Sequence, residues 1–255
     1  MSAALALDDV AIRFGGVQAV DGVTFMIDQG DFVGLIGPNG AGKTTLIRII
    51  AGMLRPDRGR VRLSDINVTG DATAARVRRG LALTHQIVRP FREMTVLDNV
   101  VLGAGIGRTA NPFGAMLHVD RRRESERAAH ILSLVGMGGT ERKLAGSLPL
   151  GQMKRLEVAR ALAVDPKIIL LDEPLAGLNH TEASRQVETI SDVHKSGITV
   201  VLVEHNLEQV MRICRRLIVL NNGRVIGDGE PREVMADPVV HDAYVGGGMA
   251  SHAEA

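Results

Sequence analysis

The stretch FVGLIGPNGAGKTTLIRII, residues 32–50, constrains the fold of this chain more than any other. An apolar run meets a loop with three glycines, Gly37, Gly40 and Gly42, and the loop passes into Lys43, Thr44 and Thr45 and then into apolar residues at helical spacing. The spacing is G-x-x-x-x-G-K-[ST], placed after a strand and at the start of a helix. A glycine-rich turn with an incidental lysine is the competing reading, and the flanking strand and helix weigh against it. The loop Gly37-Pro38-Asn39-Gly40-Ala41-Gly42 is expected to curl so that its backbone N–H groups face phosphate oxygens. The helix start adds positive potential. Lys43 supplies a charge for the β- and γ-phosphates, Thr44 offers a hydroxyl to Mg²⁺, and Thr45 reaches the α-phosphate.

A nucleotide site of this kind needs a second half, a buried strand that ends in carboxylates. KIILLDEP, residues 167–174, supplies one. Ile168 to Leu171 form the continuous apolar run of a strand covered on both faces. Asp172 is expected in the Mg²⁺ shell, and Glu173 is expected to orient or deprotonate the attacking water. The competing reading is an acidic pair that caps a helix before Pro174.

Around these motifs, apolar runs alternate with helical patterns, which predicts an α/β fold. VTFMI (23–27) and FVGLIG (32–37) read as strands joined by the turn DQGD; GRVRLSDINV reads as strand and turn, and LALTHQ (81–86) as a buried strand. Residues 87–163 read as a mostly helical subdomain inserted into a nucleotide-binding core formed by 1–86 and 164–245. The core resumes with KIILLDE, a helix over about 181–194, ITVVLVEH and a hairpin around Asn222-Gly223. The tail 246–255 is small and polar, and is expected to fray. The basic run RRRESER (121–127) reads as a solvated helix face in which Glu124 reaches Arg121 and Arg127, and Arg76, Arg78 and Arg79 read as surface residues.

Composition removes several function classes. Lys+Arg 30 against Asp+Glu 29 gives a net charge of +1, and there is no Trp and one Tyr. Neither the charge nor the stacking capacity fits a dedicated nucleic-acid binder. The single cysteine, Cys214, excludes an intrachain disulfide and is compatible with a reducing compartment. The N-terminal segment lacks the pattern of a signal peptide. The apolar runs are far shorter than the roughly 20 residues a bilayer span needs.

In their order, these motifs resemble the ATP-binding subunits of ABC transporters, over about residues 5–245. The resemblance implies an ABC ATPase fold: a P-loop NTPase core with a mixed or parallel sheet, an N-terminal antiparallel β region and an inserted helical subdomain. It places Phe14 at the adenine-stacking position, usually Tyr, where a simple core aromatic is the alternative. Gln86 matches the Q-loop, which is implied to sense Mg²⁺ and the membrane partner. LPLGQ (148–152) occupies the signature loop, whose start helix offers a partner's γ-phosphate the free amides and room at Gly151, beside Gln152. Pro149 stands where a hydroxyl-bearing residue is usual and Leu150 where a glycine is, and Ser147 is a candidate substitute hydroxyl. LAGLN (175–179) occupies the D-loop with Asn179 in place of the usual Asp. His205 matches the switch histidine, which is implied to contact the γ-phosphate.

Within the family, LPLGQMKRLEVARAL, EPLAGLNHTE, VEHNLEQVM and PREVMADPVVHDAYVG are similar to the longer ATPase of branched-chain amino acid (Liv-type) importers, as is the extra segment over 105–125. The likeness implies ATP and Mg²⁺ as cofactors, and a second ATPase subunit, identical or homologous, paired head to tail. It also implies two membrane permease subunits, indirectly a solute-binding protein, and a place on the cytoplasmic face of a prokaryotic membrane. Hydrolysis would use Glu173, with His205 and Lys43 on the γ-phosphate. An exporter ATPase, or a soluble ABC ATPase acting on nucleic acid or ribosomes, is the alternative.

Overall fold

The computed structural model describes residues 3–84, 89–105, 121–205 and 207–250. They fall into two compact units: Met1–Arg76 with Leu170–Glu173 and Thr199–Ala255, and Val77–Ile169 with Pro174–Ile198.

The first unit begins with an antiparallel sheet in the order β2-β1-β4-β5, from β1 (Ala3–Phe14), β2 (Val17–Asp28), β4 (Arg58–Leu63) and β5 (Ile66–Asn67). Strand β1 buries Leu5, Leu7, Val10 and Ile12. Its alternation breaks at Asp8-Asp9, which hides the strand from a pattern search. There the register with β2 shifts between Leu7 and Val10, and Asp9 takes a positive φ of 49°. Gly59 on β4 makes room for this bulge, because a Cβ there would sit 2.3 Å from the Asp9 carbonyl oxygen.

The second sheet carries β10-β9-β3-β8-β7 in that order, from β3 (Phe32–Ile36), β7 (Ile168–Asp172), β8 (Thr199–Val203), β9 (Arg216–Asn221) and β10 (Arg224–Gly229). Strand β3 is parallel to both β8 and β9, and all five of its residues are buried. A two-sided burial needs apolar side chains on both faces, which explains the unbroken run FVGLI. Helix α7 (Leu207–Ile213) packs on β3 so closely that a Cβ at Gly34 would lie 2.5 Å from Val210 Cγ1. The β9–β10 hairpin turns at Asn222-Gly223, with positive φ at both residues (46° and 76°), the pattern Asn-Gly is suited to.

Helix α1 (Lys43–Ile50) follows the glycine loop, and its far end corrects the surface reading of Arg76. Arg76 lies on α2 (Thr73–Arg78) and is fully buried. Its Nη1 donates to the carbonyls of Ile49 and Ile50, both at 2.7 Å, its Nε to Asp71 O at 3.0 Å and its Nη2 to Thr69 O at 3.2 Å. The last carbonyls of a helix have no partner within it, and here a guanidinium supplies one. The neighbouring arginines, Arg78 and Arg79, give no hint of this. Arg76→Ala is expected to cost about 3 kcal/mol of stability by orphaning these carbonyls, read as a lower urea midpoint. An unchanged midpoint would show that water replaces the guanidinium.

The second unit holds β6 (Leu81–Leu83), α3 (Val96–Gly105), α4 (Arg121–Leu134), α5 (Leu150–Leu162) and α6 (His180–Lys195). The amides of Lys167 and Ile168 both donate to Gly80 O. Arg127 on α4 pairs with Asp165 at 3.0 Å. Helix α6 starts one residue ahead of the expected 181, because Asn179 and Glu182 form a reciprocal capping box.

In the first unit the chain continues through α8 (Pro231–Ala236) and α9 (Pro238–Ala250), so helix extends into the glycine run at 246–248 that was expected to fray. Among the described residues, no helix is long and apolar enough to cross a membrane.

Candidate functional site

The glycine loop takes its shape from close approaches that no side chain would survive. Gly37 has a φ of 151°, and a Cβ there would lie 2.1 Å from Leu220 O; Gly42 has a φ of 101°, and its Cβ would lie 2.4 Å from Ala19 O. The amide of Gly223 donates to Ala41 O at 3.0 Å and the amide of Asp21 to Gly223 O at 2.8 Å, which ties the β9–β10 turn to the loop and to β2. The loop is thus held from both sides by its own chain. It opens α1 at Gly42 with no side-chain cap, so the first-turn amides face the loop's hollow.

Lys43 is 8% exposed and arches back over the loop, with Nζ donating to Gly37 O at 2.6 Å and Pro38 O at 2.9 Å. Burial lowers its pKa, and the carboxylates of Glu173 and Asp172 oppose that shift. Loop residues 39–45, with Val17, Gln18, Ala19, Glu173 and Asn222, line a cavity of about 360 Å³. Four of these, Val17, Gln18, Ala19 and Asn222, were not singled out from sequence. The Asn222-Gly223 hairpin was legible, but nothing local says that its turn docks on a loop 180 residues away.

Glu173 follows β7 with a positive φ of 47°, and its amide donates to Val203 O at 2.9 Å. A non-glycine residue in this region costs on the order of 1 kcal/mol, so neighbouring structure holds the side chain where it is. The competing reading of a helix cap does not hold, since the next helix, α6, starts at His180 on its own Asn179 cap. His205 lies with Nδ1 3.9 Å from Glu173 Oε1.

Phe14 is 48% exposed, paired with Val17 at the end of the β1–β2 hairpin, so the alternative of a core aromatic is excluded. The cavity wall on that side is Val17, Gln18 and Ala19 rather than Phe14. Gln86 lies outside the described residues, as does His85.

The loop read from sequence as the signature, 148–152, lies in the second unit. Ala145–Ser147 form a 3₁₀ turn in which the Ser147 hydroxyl donates to Leu144 O at 2.8 Å, so that hydroxyl is engaged within its own turn. Pro149 is the N-cap of α5, with no side-chain cap, and its carbonyl accepts from the amides of Gln152 and Met153, both at 3.0 Å. The missing Cβ of Gly151 is matched by its own chain: it would lie 3.1 Å from Glu182 Oε1. Likewise a Cβ at Gly177 would lie 3.2 Å from Leu150 Cδ2. Leu150 and Glu182 thus lock the signature loop and the Asn179 loop together, a packing that the order of motifs alone does not reveal.

The same unit carries an apolar groove of about 450 Å³ that includes Phe91, Leu102, Asn99 and Arg160. Phe91 and Leu102 are 51% and 46% exposed. The Arg160 guanidinium lies 5.2 Å from the Phe91 ring centre, and its Nη1 donates to Arg89 O at 3.0 Å.

Comparison with known proteins matches residues 20–176 to a family described as ABC transporter. The chain is similar to the high-affinity branched-chain amino acid transport ATP-binding protein BraF of Pseudomonas aeruginosa, 36% identical over 248 residues, 95% of this chain and 97% of that one. It is similar as well to the lipopolysaccharide export system ATP-binding protein LptB of Acidithiobacillus ferridurans, 36% identical over 224 residues, 88% of this chain and 89% of that one. Among solved structures, an ATP-binding cassette of an ABC transporter in its ADP conformation has a TM-score of 0.84 at 33% identity, over 96% of this chain and 99% of that one. A cassette dimer bound to ADP and Pi has a TM-score of 0.75 at 27% identity, over 89% and 99%.

Proposed function

This chain belongs to the ABC transporter family, and from that premise we propose that it is the ATP-binding and hydrolysing subunit of an importer for branched-chain amino acids or related small polar solutes. The observation that carries the chemistry is one buried lysine, Lys43, that lines the same cavity as Glu173, the carboxylate directly after β7. Phosphates entering the loop replace the Gly37 and Pro38 carbonyls as acceptors for Nζ and gain the amides of α1. Glu173 then takes the proton of the attacking water, and His205 holds the γ-phosphate. Phe14, exposed at the rim, is available to stack on the base.

Magnesium fits the donors present. Among the described residues no cluster of three or more His, Cys, Asp or Glu forms a cage. A hard cation held by one carboxylate, one hydroxyl and the phosphates themselves needs none. Asp172 and Thr44 are the residues that would hold it, where it would neutralise charge on the transferring phosphoryl group. Gln86 is assigned to the same shell by family resemblance.

A second ATPase subunit, identical or homologous, would place its own signature loop over this phosphate loop. Ser147, Gly151 and Gln152 of this chain would face the partner's nucleotide in return. The Phe91–Leu102 groove suits an apolar segment of a membrane permease, which would keep the subunit at the cytoplasmic face of the membrane, and a solute-binding protein would deliver cargo to the permeases. Import is favoured by the branched-chain relatives; export is the second reading, favoured by the similarity to the lipopolysaccharide export protein.

Mild detergent extraction of an affinity-tagged chain tests the reading. Recovery with two integral membrane proteins is expected, and recovery with nucleic acid instead would overturn it. Pro149→Ser tests the altered signature: phosphate release by the assembled complex is expected to hold or rise up to a few-fold, because a serine N-cap adds a hydroxyl acceptor and typically about 1 kcal/mol to the helix start. A large loss would mean that the proline sets the loop's shape.

A further inference from the structure

Glu204 is a charged side chain for which the reaction as described has no use. It follows β8 directly and is 1% exposed, beside an imidazole that is 60% exposed. Its Oε2 lies 3.9 Å from His205 Nδ1, the same nitrogen that is 3.9 Å from Glu173 Oε1. One ring nitrogen therefore faces two carboxylates, of which one is rooted in the core and the other, at 22% exposure, reaches the cavity.

The two carboxylates are not equivalent. Glu173 has work of its own: to accept a proton from water it must turn at least one oxygen away from the imidazole. An imidazole that is 60% exposed would then rotate more freely at the moment its alignment matters. A carboxylate against Nδ1–H fixes both the tautomer and the ring orientation of a histidine, and leaves Nε2 for the reacting group. A carboxylate that is 1% exposed at the end of a buried strand keeps its place, because close packing around it restricts its rotamers. Glu204 has the burial for that role, and its Oε2 lies 3.9 Å from Nδ1, a gap beyond hydrogen-bond range that a small rotation of the exposed ring has to close.

We propose that Glu204 is a positioning residue for ATP hydrolysis: it holds His205 by Nδ1, so that Nε2 stays on the γ-phosphate while Glu173 engages the attacking water. This rests on the assignment of Glu173 and His205 above and adds a third member to the pair.

The test is a double-mutant cycle on the full chain, read as single-turnover phosphate release with protein in excess, so that slow variants remain measurable. Glu204→Gln alone is expected to slow release about tenfold with ATP affinity unchanged within twofold. In a His205→Ala background the same substitution is expected to cost nothing further. Equal losses in both backgrounds, or no loss in either, would overturn the proposal, because a purely structural role does not vanish with the imidazole. The ¹⁵N signals of His205 in the wild-type chain give a readout independent of any variant. The Nδ1–H tautomer is expected to dominate, and a dominant Nε2–H tautomer would overturn the proposal even if Glu204→Gln fails to fold. The cycle also separates the two levels of inference. If Glu173→Gln and His205→Ala leave release intact, the hydrolytic assignment itself fails. If they abolish it but Glu204→Gln acts additively, only the positioning role fails.

Discussion

Glu173→Gln is expected to lower phosphate release at least about 100-fold while ATP binding is retained, since loss of a positioned general base removes 10²–10⁴-fold of rate. The substitution keeps the shape and the amide bond to Val203 O, and it leaves the residue in the same left-handed conformation, so the fold is undisturbed. What changes is charge and proton affinity. Glu173 is the larger of the two carboxylate influences that raise the Lys43 pKa against the effect of burial. Neutralising it removes one negative charge from the place where phosphates arrive, so affinity for ATP is expected to hold or rise. Hydrolysis and binding, measured on the same preparation, separate the two effects. A fall in both would make Glu173 a binding residue, and undiminished hydrolysis would remove it from the base role.

The complementary loss is expected at the loop. Lys43→Ala should weaken ATP binding about 100-fold or more, which corresponds to roughly 2.7 kcal/mol and matches the range for hydrogen bonds to a charged group. Lys43 is nearly buried, and its Nζ donates to two loop carbonyls. Its removal leaves Gly37 O and Pro38 O without that donor, while the glycine conformations and the docking of Gly223 on Ala41 remain. A titration with a fluorescent ATP analogue reads the affinity, and circular dichroism checks that the loop's surroundings persist. Binding within a few-fold of wild type would mean that the backbone amides alone carry the phosphates.

The parts legible in the sequence were those whose physics is local. A strand buried on both faces needs an unbroken apolar run, and β3 and β7 show it. A positive-φ turn wants Asn-Gly, and the β9–β10 hairpin has it. The phosphate loop declares itself because glycine is the residue that survives a contact such as that of Gly42 with Ala19 O. What escaped depended on tertiary partners. Strand β1 was hidden by a bulge whose reason is Gly59, some fifty residues away. Arg76 reads as a surface charge until the helix end it caps is known. That Gly151 also packs against Glu182, 3.1 Å from where its Cβ would lie, is invisible in the sequence. Glu204 sits beside the most recognisable histidine in the sequence and carries no motif signal, because its distinguishing property is burial.

Asn179 shows how a departure from a family pattern can be a local solution. Its side chain accepts the Glu182 amide at 3.0 Å while the Glu182 carboxylate accepts the Asn179 amide at 3.2 Å. The neutral amide caps the helix without adding a second negative charge next to Glu182. The carboxylate that completes the cap is also the one against Gly151, so the same residue serves the helix start and the signature loop.

We propose that ATP hydrolysis at Lys43 and Glu173 drives transport through membrane partners. Phosphate release by this chain, reconstituted in liposomes with two permeases and a second ATPase, tests this, with and without a solute-loaded binding protein. Release is expected to rise several-fold with the loaded binding protein and to disappear in Glu173→Gln. Release that is indifferent to the permeases and the binding protein, or that responds to nucleic acid in their place, would contradict it.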